Sequence, residues 1–173
     1  MTDAPAPAYR IEPPLDGDEK VMLMGFLDYH RATLRWKCDG LTPEQLATRA
    51  VPSSTLSLLG IVRHLAEVEH SWFGYLEHNK QPWIYATEAE PDLDFDGAVA
   101  DPGVVAEAWT TWQAEVDHAR DVAQRTPLDS TFTYRTGEVM THRWTLLHML
   151  EEYARHNGHA DLLREAIDGT TGE

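Results

Sequence analysis

The chain has little cysteine, few basic residues and no long apolar run. Cys38 is the only cysteine among 173 residues, so no internal disulfide can form, and a zinc site built from several thiolates is excluded. Lys and Arg together number 14 against 29 Asp and Glu, which gives a formal net charge of -15. Because this charge disfavours phosphate backbones and anionic lipid surfaces, we expect no nucleic-acid partner.

No segment has the character of a membrane anchor. The apolar run at residues 56–62 is far shorter than the ~20 residues that a bilayer-crossing helix needs. The N-terminus has no basic start followed by an apolar stretch, which a secretory signal would have. We therefore expect a cytoplasmic protein with no membrane partner.

The length and the apolar periodicity predict a single all-α domain. A chain of 173 residues fits the usual size of one domain, roughly 100–200 residues, and we assign residues 1–173 to it. Residues 1–15 hold four prolines without periodicity, which predicts an extended N-terminal arm.

Four long segments have the apolar spacing of amphipathic helices. They are predicted at residues 18–38, from Ser53 or Ser54 to about residue 79, from Asp101-Pro102 to about Thr126, and from Thr141 to just before Gly169. Thr42, Pro43 and Gln45 form a capping-box pattern that opens a further short helix. No regular element is predicted within residues 80–101, whereas residues 127–141 can form a small hairpin. Helices of this number with such connections indicate a four-helix bundle.

His64 on the second long helix, with Glu152 and His156 on the last, is the most informative chemical feature. Glu152 and His156 lie one helical turn apart, on or beside the core-facing stripe of their helix. His64 lies at the margin of the buried face of its own helix. An inward, ionised Glu152 without a partner is costly, so it needs a proton, a partner or a cation.

Two imidazoles and one carboxylate are the ligand set of several catalytic zinc sites. The pattern therefore predicts a divalent-metal site at His64, Glu152 and His156, and nickel, iron or manganese would also suit these ligands. The alternative is an ordinary hydrogen-bonded pair or a solvated helix face, because a carboxylate four residues from a histidine is common. His148 and His159 lie nearby on the same helix, and their spacing leaves open a supporting role, a place as a replacement ligand or a surface position.

Three segments of the chain resemble one known superfamily. They are GLTPEQL at residues 40–46, LLGIVRHL at residues 58–65 and EEYARHNGHAD at residues 151–161. Over about residues 20–168 the chain is similar to DinB/YfiT-like metalloproteins, in a branch known as a domain of unknown function. The resemblance implies a four-helix bundle of DinB/YfiT-like type whose divalent ion, often zinc or nickel, is held by His64, Glu152 and His156.

The residue at position 152 varies among these relatives. Many DinB proteins have histidine there, whereas the related mycothiol-dependent maleylpyruvate isomerase pattern has glutamate, as this chain does. The change keeps the site and adds a negative ligand.

The resemblance also implies a type of reaction. Where activity is known, such proteins use the metal to activate the thiol of mycothiol, bacillithiol or glutathione for transfer or isomerisation. We therefore expect a metal-dependent S-transferase or isomerase with a small-molecule thiol and an electrophile as its partners. A metal-dependent hydrolase that activates water and a non-catalytic metal-binding bundle stay open as alternatives. Superfamily relatives are frequently dimers, so a homodimer agrees with the resemblance.

Overall fold

The computed structural model of the protein describes residues 2, 3, 5–77 and 82–172. In chain order, the elements are β1 (Thr2–Asp3), α1 (Glu19–Cys38), α2 (Pro43–Ala47), α3 (Leu58–Leu76), α4 (Leu93–Asp96), α5 (Pro102–Arg125), β2 (Thr131–Thr133), β3 (Val139–Thr141), α6 (His142–Asp168) and β4 (Thr170–Thr171). Helix α1 packs on α6, and α3 packs on both α5 and α6. The four long helices confirm the predicted helical bundle. No helix among the described residues is long and apolar enough to cross a bilayer.

Side-chain caps begin most of these helices. Asp18, Asp101 and Thr141 each accept hydrogen bonds from backbone N–H groups in the first turn of α1, α5 and α6. Thr42 opens α2 with both bonds of the predicted capping box. Helix α6 ends at Gly169, whose φ of 76° lies in the left-handed region that favours glycine.

Helix α3 begins later than predicted. Ser57, rather than Ser53 or Ser54, is its cap, and the Ser57 hydroxyl accepts a hydrogen bond from the Gly60 N–H at 3.1 Å. Ser53 has a φ of 68°, and the Ser54 hydroxyl accepts from a backbone N–H two residues further on. These serines therefore form a turn before the helix. The predicted end near residue 79 lies outside the described residues.

The short elements were only partly predicted. Strands β2 and β3 form the predicted antiparallel hairpin, with Phe132 opposite Met140 and Gly137 in its turn at a φ of 100°. Helix α4, in a segment for which no regular element was predicted, is too short to show a helical repeat in its sequence. The parallel pairing of β1 with β4 joins the two ends of the chain and was not predicted.

Residues 5–15 of the predicted N-terminal arm contain no helix and pack against α1. Arg10 donates through Nε to the Thr33 hydroxyl at 2.9 Å, and its guanidinium lies 4.0 Å from the centre of the Tyr29 ring. Pro14 lies directly over Gly25, where a Cβ atom would be only 2.6 Å from the proline ring. The arm thus covers part of the outer face of α1.

A buried polar network takes one side chain from each long helix. Arg31 of α1 donates to both carboxylate oxygens of Glu69 in α3, at 2.7 Å each. Tyr153 of α6 donates to Glu69 at 2.8 Å and accepts from the indole N–H of Trp112 in α5 at 3.0 Å. All four side chains are buried, so their mutual bonds offset the loss of water around the charged pair. The network fixes the four helices relative to one another.

Candidate metal centre

The structure brings His64 of α3 together with Glu152 and His156 of α6, where the two helices pack. His64 Nε2 lies 3.8 Å from Glu152 Oε2, and His156 Nε2 lies 3.6 Å from the same oxygen. The centres of the two imidazole rings are 4.7 Å apart. Each side chain thus presents one ligand atom to a common space, and these atoms all lie within 4.8 Å of one another. The His64 side chain is 21% exposed and that of Glu152 is 17% exposed, so the cluster lies close to the protein surface.

The spacing of these ligand atoms suits a shared cation better than hydrogen bonds between them. Separations of 3.6 and 3.8 Å exceed the roughly 3.2 Å limit of an ordinary N–H···O bond. Ligand atoms bonded to one tetrahedral zinc ion lie about 3.3 Å apart, given bonds of about 2.0 Å. His156 Nδ1 is buried and has no hydrogen-bond partner among the described residues, so hydrogen bonding does not explain where this ring lies. The donor set therefore fits a divalent ion.

Asp94 of α4 binds the side of His64 that faces away from the cluster. Asp94 Oδ2 lies 2.8 Å from His64 Nδ1, and Asp94 Oδ1 accepts from the backbone N–H of Phe95 at 2.9 Å. Because an ionised carboxylate can only accept, His64 Nδ1 must carry a proton. In the neutral ring, the lone pair is then on Nε2, which faces Glu152. The Phe95 ring stacks on His64, with their centres 4.6 Å apart.

Helix α3 itself holds the segment that carries Asp94. Arg63 donates to the backbone carbonyls of Asp94 at 2.8 Å and Leu93 at 3.0 Å. Gly97 leaves room for this guanidinium, because a Cβ atom there would be 2.6 Å from Arg63 Nη2. One turn further along α3, Glu67 accepts three hydrogen bonds of 2.7, 2.7 and 3.1 Å from the backbone N–H groups of residues 84–86. Arg63 and Glu67, which lie on either side of His64 in α3, thus hold the segment that positions Asp94 beside His64.

The charges in the cluster shift its pKa values in different directions. Burial disfavours the charged form of His64, but the Asp94 and Glu152 carboxylates outweigh it and raise the pKa of His64 to about 9. The His156 and His64 rings hold the pKa of Glu152 well below its usual range. Burial lowers the pKa of His156. Without a bound cation, the cluster near neutral pH therefore contains an imidazolium, a carboxylate and a neutral imidazole.

An aromatic wall, formed by Trp72, Trp144 and His148, borders the cluster. His148 Nε2 lies 3.5 Å from Glu152 Oε1, and its ring stacks on Trp144 with the ring centres 4.9 Å apart. Trp72 of α3 contacts both of these rings, at 4.7 Å from His148 and 5.1 Å from Trp144. Trp144 is 40% exposed, so the wall presents apolar surface to solvent beside Glu152.

His148 and His159, whose roles the spacing left open, have different surroundings. His148 contacts Glu152 as part of the aromatic wall. His159 packs edge-on against the His156 ring, with their centres 5.3 Å apart. Neither belongs to the three-residue group. Asp94, by contrast, contacts the cluster but was not identified from the sequence.

The fold and the cluster together define a helical bundle of DinB/YfiT-like type, with a His, Glu and His group between its second and last long helices. The chain belongs to the mycothiol-S-transferase family, whose model matches residues 22–169. The matched region includes His64, Glu152 and His156. This match confirms the resemblance found in the sequence.

A solved structure shows the same fold. The conserved protein of a locus from Enterococcus faecalis has a TM-score of 0.67 at 13% sequence identity, and the match covers 89% of this chain and 99% of that chain. At this identity the likeness concerns the fold alone. Among curated proteins, none matches the chain.

Proposed function

We propose that this protein is a metal-dependent S-transferase or isomerase that acts with a low-molecular-weight thiol such as mycothiol. Membership of the mycothiol-S-transferase family supports a thiol-related transferase. The observation that carries the metal is the convergence of His64, Glu152 and His156, at distances too long for hydrogen bonds and suited to one divalent ion. We expect zinc or nickel, since both accept imidazole and carboxylate ligands.

His64, Glu152 and His156 would hold the ion, and Asp94 would keep His64 in the form that can bind it. By holding a proton on His64 Nδ1, Asp94 leaves the Nε2 lone pair directed toward Glu152. A carboxylate on the second nitrogen of a metal-binding histidine also fixes the orientation of the ring. Stacking on Phe95 restricts the ring from its face.

With a divalent ion held by these residues, the charge balance would favour an anionic sulfur at the centre. A divalent ion held by these residues would supply one chemical effect, a lower pKa for a thiol that binds it. The two neutral imidazoles leave the Glu152 carboxylate as the single negative ligand, so a net positive charge would remain to attract a thiolate. In the overall transfer, the S–H proton passes to solvent, a C–S bond forms on the electrophile, and the leaving group departs with the electron pair of the bond that breaks.

The thiol of the chain itself is unsuited to be the nucleophile. Cys38 is buried in the core, and burial raises its pKa to about 12. It therefore stays protonated near neutral pH, and it lies outside the cluster. The reacting sulfur must come from a small molecule.

The aromatic wall offers a place for the electrophile. Trp144 and His148 lie eight and four residues before Glu152 along α6, so their rings form one stripe that leads to the cluster. Their stacked faces suit the apolar part of a substrate. We place the electrophile there, with its reacting carbon toward Glu152.

Elemental analysis combined with a thiol titration tests the metal and the mechanism together. We expect one divalent ion per chain, mycothiol binding only in the metal-loaded protein, and thiol consumption when an electrophile is added. His64→Ala should lose both the ion and the activity. The matched control is His118→Ala, which removes an exposed histidine paired with Glu77 at 2.8 Å on another face and should retain both.

Three other outcomes would contradict the proposal. A metal-free preparation that remains fully active would exclude a metal-dependent reaction. Turnover without any added thiol would indicate a hydrolase that activates water. A metal-dependent rise in melting temperature without turnover across a broad panel of electrophiles would indicate a non-catalytic bundle.

A further inference from the structure

A cavity of about 820 Å³ lies away from the metal centre, between α1, α2 and α5. Helix α1 packs on α6 and α3 packs on α5, whereas α1 and α5 are not a closely packed pair among the described residues. The cavity opens along this unfilled seam. None of its lining residues belongs to the metal cluster or the aromatic wall, so it needs an explanation of its own.

The floor of the cavity is apolar and aromatic. Leu46 and Trp112 are each only 4% exposed, and Val105 and Trp109 extend the same surface. The Trp109 and Trp112 rings meet edge to face, with their centres 5.5 Å apart. A volume of this size with a mostly apolar floor is typical of small-molecule sites.

Arg35 at the rim has no carboxylate partner among the described residues. Its guanidinium contacts the ring of Tyr9, 5.4 Å from the ring centre. The acids beside it are already engaged, because Asp117 accepts from Arg120 at 3.0 Å and Asp39 accepts from the Tyr9 hydroxyl. Arg35 is exposed at the mouth of the cavity, so its guanidinium can pair with an incoming anion.

A smaller cavity of about 290 Å³ adjoins the first, and Arg35 and Trp112 line both. The other two arginines of this smaller cavity, Arg31 and Arg120, both pair with Asp28, at 2.9 and 3.0 Å. Among the described arginines of the two cavities, Arg35 is therefore the one whose guanidinium is available to an anion.

We propose that this cavity binds a small amphipathic carboxylate, whose acid group pairs with Arg35 and whose apolar part lies over Trp109. A single guanidinium matches one carboxylate through two parallel hydrogen bonds. A multiply charged anion suits the cavity less well, because the surrounding chain is strongly acidic. Binding is non-covalent, since the Cys38 thiol in the lining is buried. The site is independent of the metal centre and of the function proposed for it.

Calorimetry with three ligands of equal chain length tests the proposal: octanoate, 1-octanol and octylammonium. Octanoate should bind the wild-type protein most tightly. Arg35→Gln should weaken octanoate binding about tenfold or more, because it removes a charge-assisted pair, and should leave octanol binding unchanged. Octylammonium or octanol binding as tight as octanoate would overturn the proposal.

Two substitutions on α5 test the position of the site. Ala114 is exposed and lines the cavity, so Ala114→Phe should block octanoate. Ala106 is exposed on the same helix but does not line the cavity, so Ala106→Phe should bind octanoate normally. Unchanged binding in Ala114→Phe would refute the assignment. A wild-type dimer that Ala114→Phe dissociates in sedimentation would also refute it, because the seam would then be a subunit interface.

His64→Ala should retain octanoate binding. The octanoate test can therefore fail without affecting the metal proposal, and the metal proposal can fail without affecting the octanoate site.

Discussion

Replacing Asp94 with asparagine should make His64 a poor metal ligand while changing the shape of the site very little. A carboxylate has two acceptor oxygens, whereas asparagine has one oxygen and one NH2 donor. If the new oxygen keeps the hydrogen bond from the Phe95 N–H, the NH2 group faces His64 Nδ1 and requires this nitrogen to be an acceptor. The proton of the neutral ring then moves to Nε2, the atom that faces Glu152. Metal binding through Nε2 must displace that proton.

The structure sets the size of the expected effect. Loss of a hydrogen-bonding partner behind a metal-binding histidine weakens metal binding about 10–100-fold, or about 1.4–2.7 kcal/mol. Asp94 is 5% exposed and its bond to His64 is 2.8 Å long, so water cannot easily replace it and we expect the upper part of this range. Asp94→Ala removes the carboxylate but places no donor group at His64 Nδ1, so it does not force the ring proton onto Nε2. Asparagine should therefore weaken metal binding at least as much as alanine.

A competition titration against a chromophoric chelator measures the zinc affinity, and the absorption spectrum of the cobalt-substituted protein reports the ligand geometry. Asp96→Asn is the matched control, because it makes the same change of charge in α4 at an exposed residue that pairs with Arg49 on the surface. It should bind metal as the wild type does. Wild-type affinity in Asp94→Asn, or weaker binding by Asp94→Ala than by Asp94→Asn, would refute the reasoning about the proton.

Three further predictions concern stability and reactivity. Glu69→Ala should cost about 3–5 kcal/mol of unfolding free energy, because it leaves Arg31 buried and unpaired. The control Asp28→Ala removes a 43% exposed partner of the same arginine and should cost less than about 1 kcal/mol. Equal effects of the two substitutions in urea unfolding would contradict the buried network. The metal-free protein has a His64 pKa of about 9, above the ordinary 6.5, so the stability that this group contributes is complete below about pH 6.5 and lost as the pH rises through about 9. The stability advantage of the wild type over His64→Ala in urea should therefore shrink across this range, and an advantage that grows would contradict the assignment. Cys38 should resist iodoacetamide at about pH 8 in the folded protein and should react when the protein is unfolded. Intact mass spectrometry measures the labelling, and rapid labelling of the folded chain would contradict the burial of Cys38.

The long helices could be predicted because their signals are local. Apolar spacing and caps such as Asp101 and Thr141 depend on residues within a few positions of one another. The start of α3 shows where this reasoning ends, since three nearby serines are equally good caps by type. Ser57 is the cap because it has extended backbone, with a φ of -129° and a ψ of 160°, whereas Ser53 lies in a turn with a positive φ. Residue type alone does not distinguish them.

The candidate site was predictable in the same way only in part. Glu152 and His156 are related by one helical turn, and the family resemblance related them to His64. Asp94 lies thirty residues after His64, in a segment that also holds Asp92 and Asp96. Nothing in the local sequence separates these three aspartates. Their difference arises from the contacts that Arg63 makes with the backbone carbonyls of Leu93 and Asp94, which exist only in the folded chain.

The gap between His64 and Glu152 favours the proposed metal centre over an ordinary ion pair between α3 and α6. In the metal-free protein these groups carry opposite charges, and a free pair would close to about 2.8 Å, yet their nearest atoms are 3.8 Å apart. Asp94 holds His64 from the other side at 2.8 Å. The bond of 2.8 Å between Glu69 and Tyr153 meanwhile fixes α3 against α6, close in sequence to both groups. Because bonds outside the cluster keep the gap open, its width is a property of the fold, and a width suited to a shared ion supports the proposed metal centre.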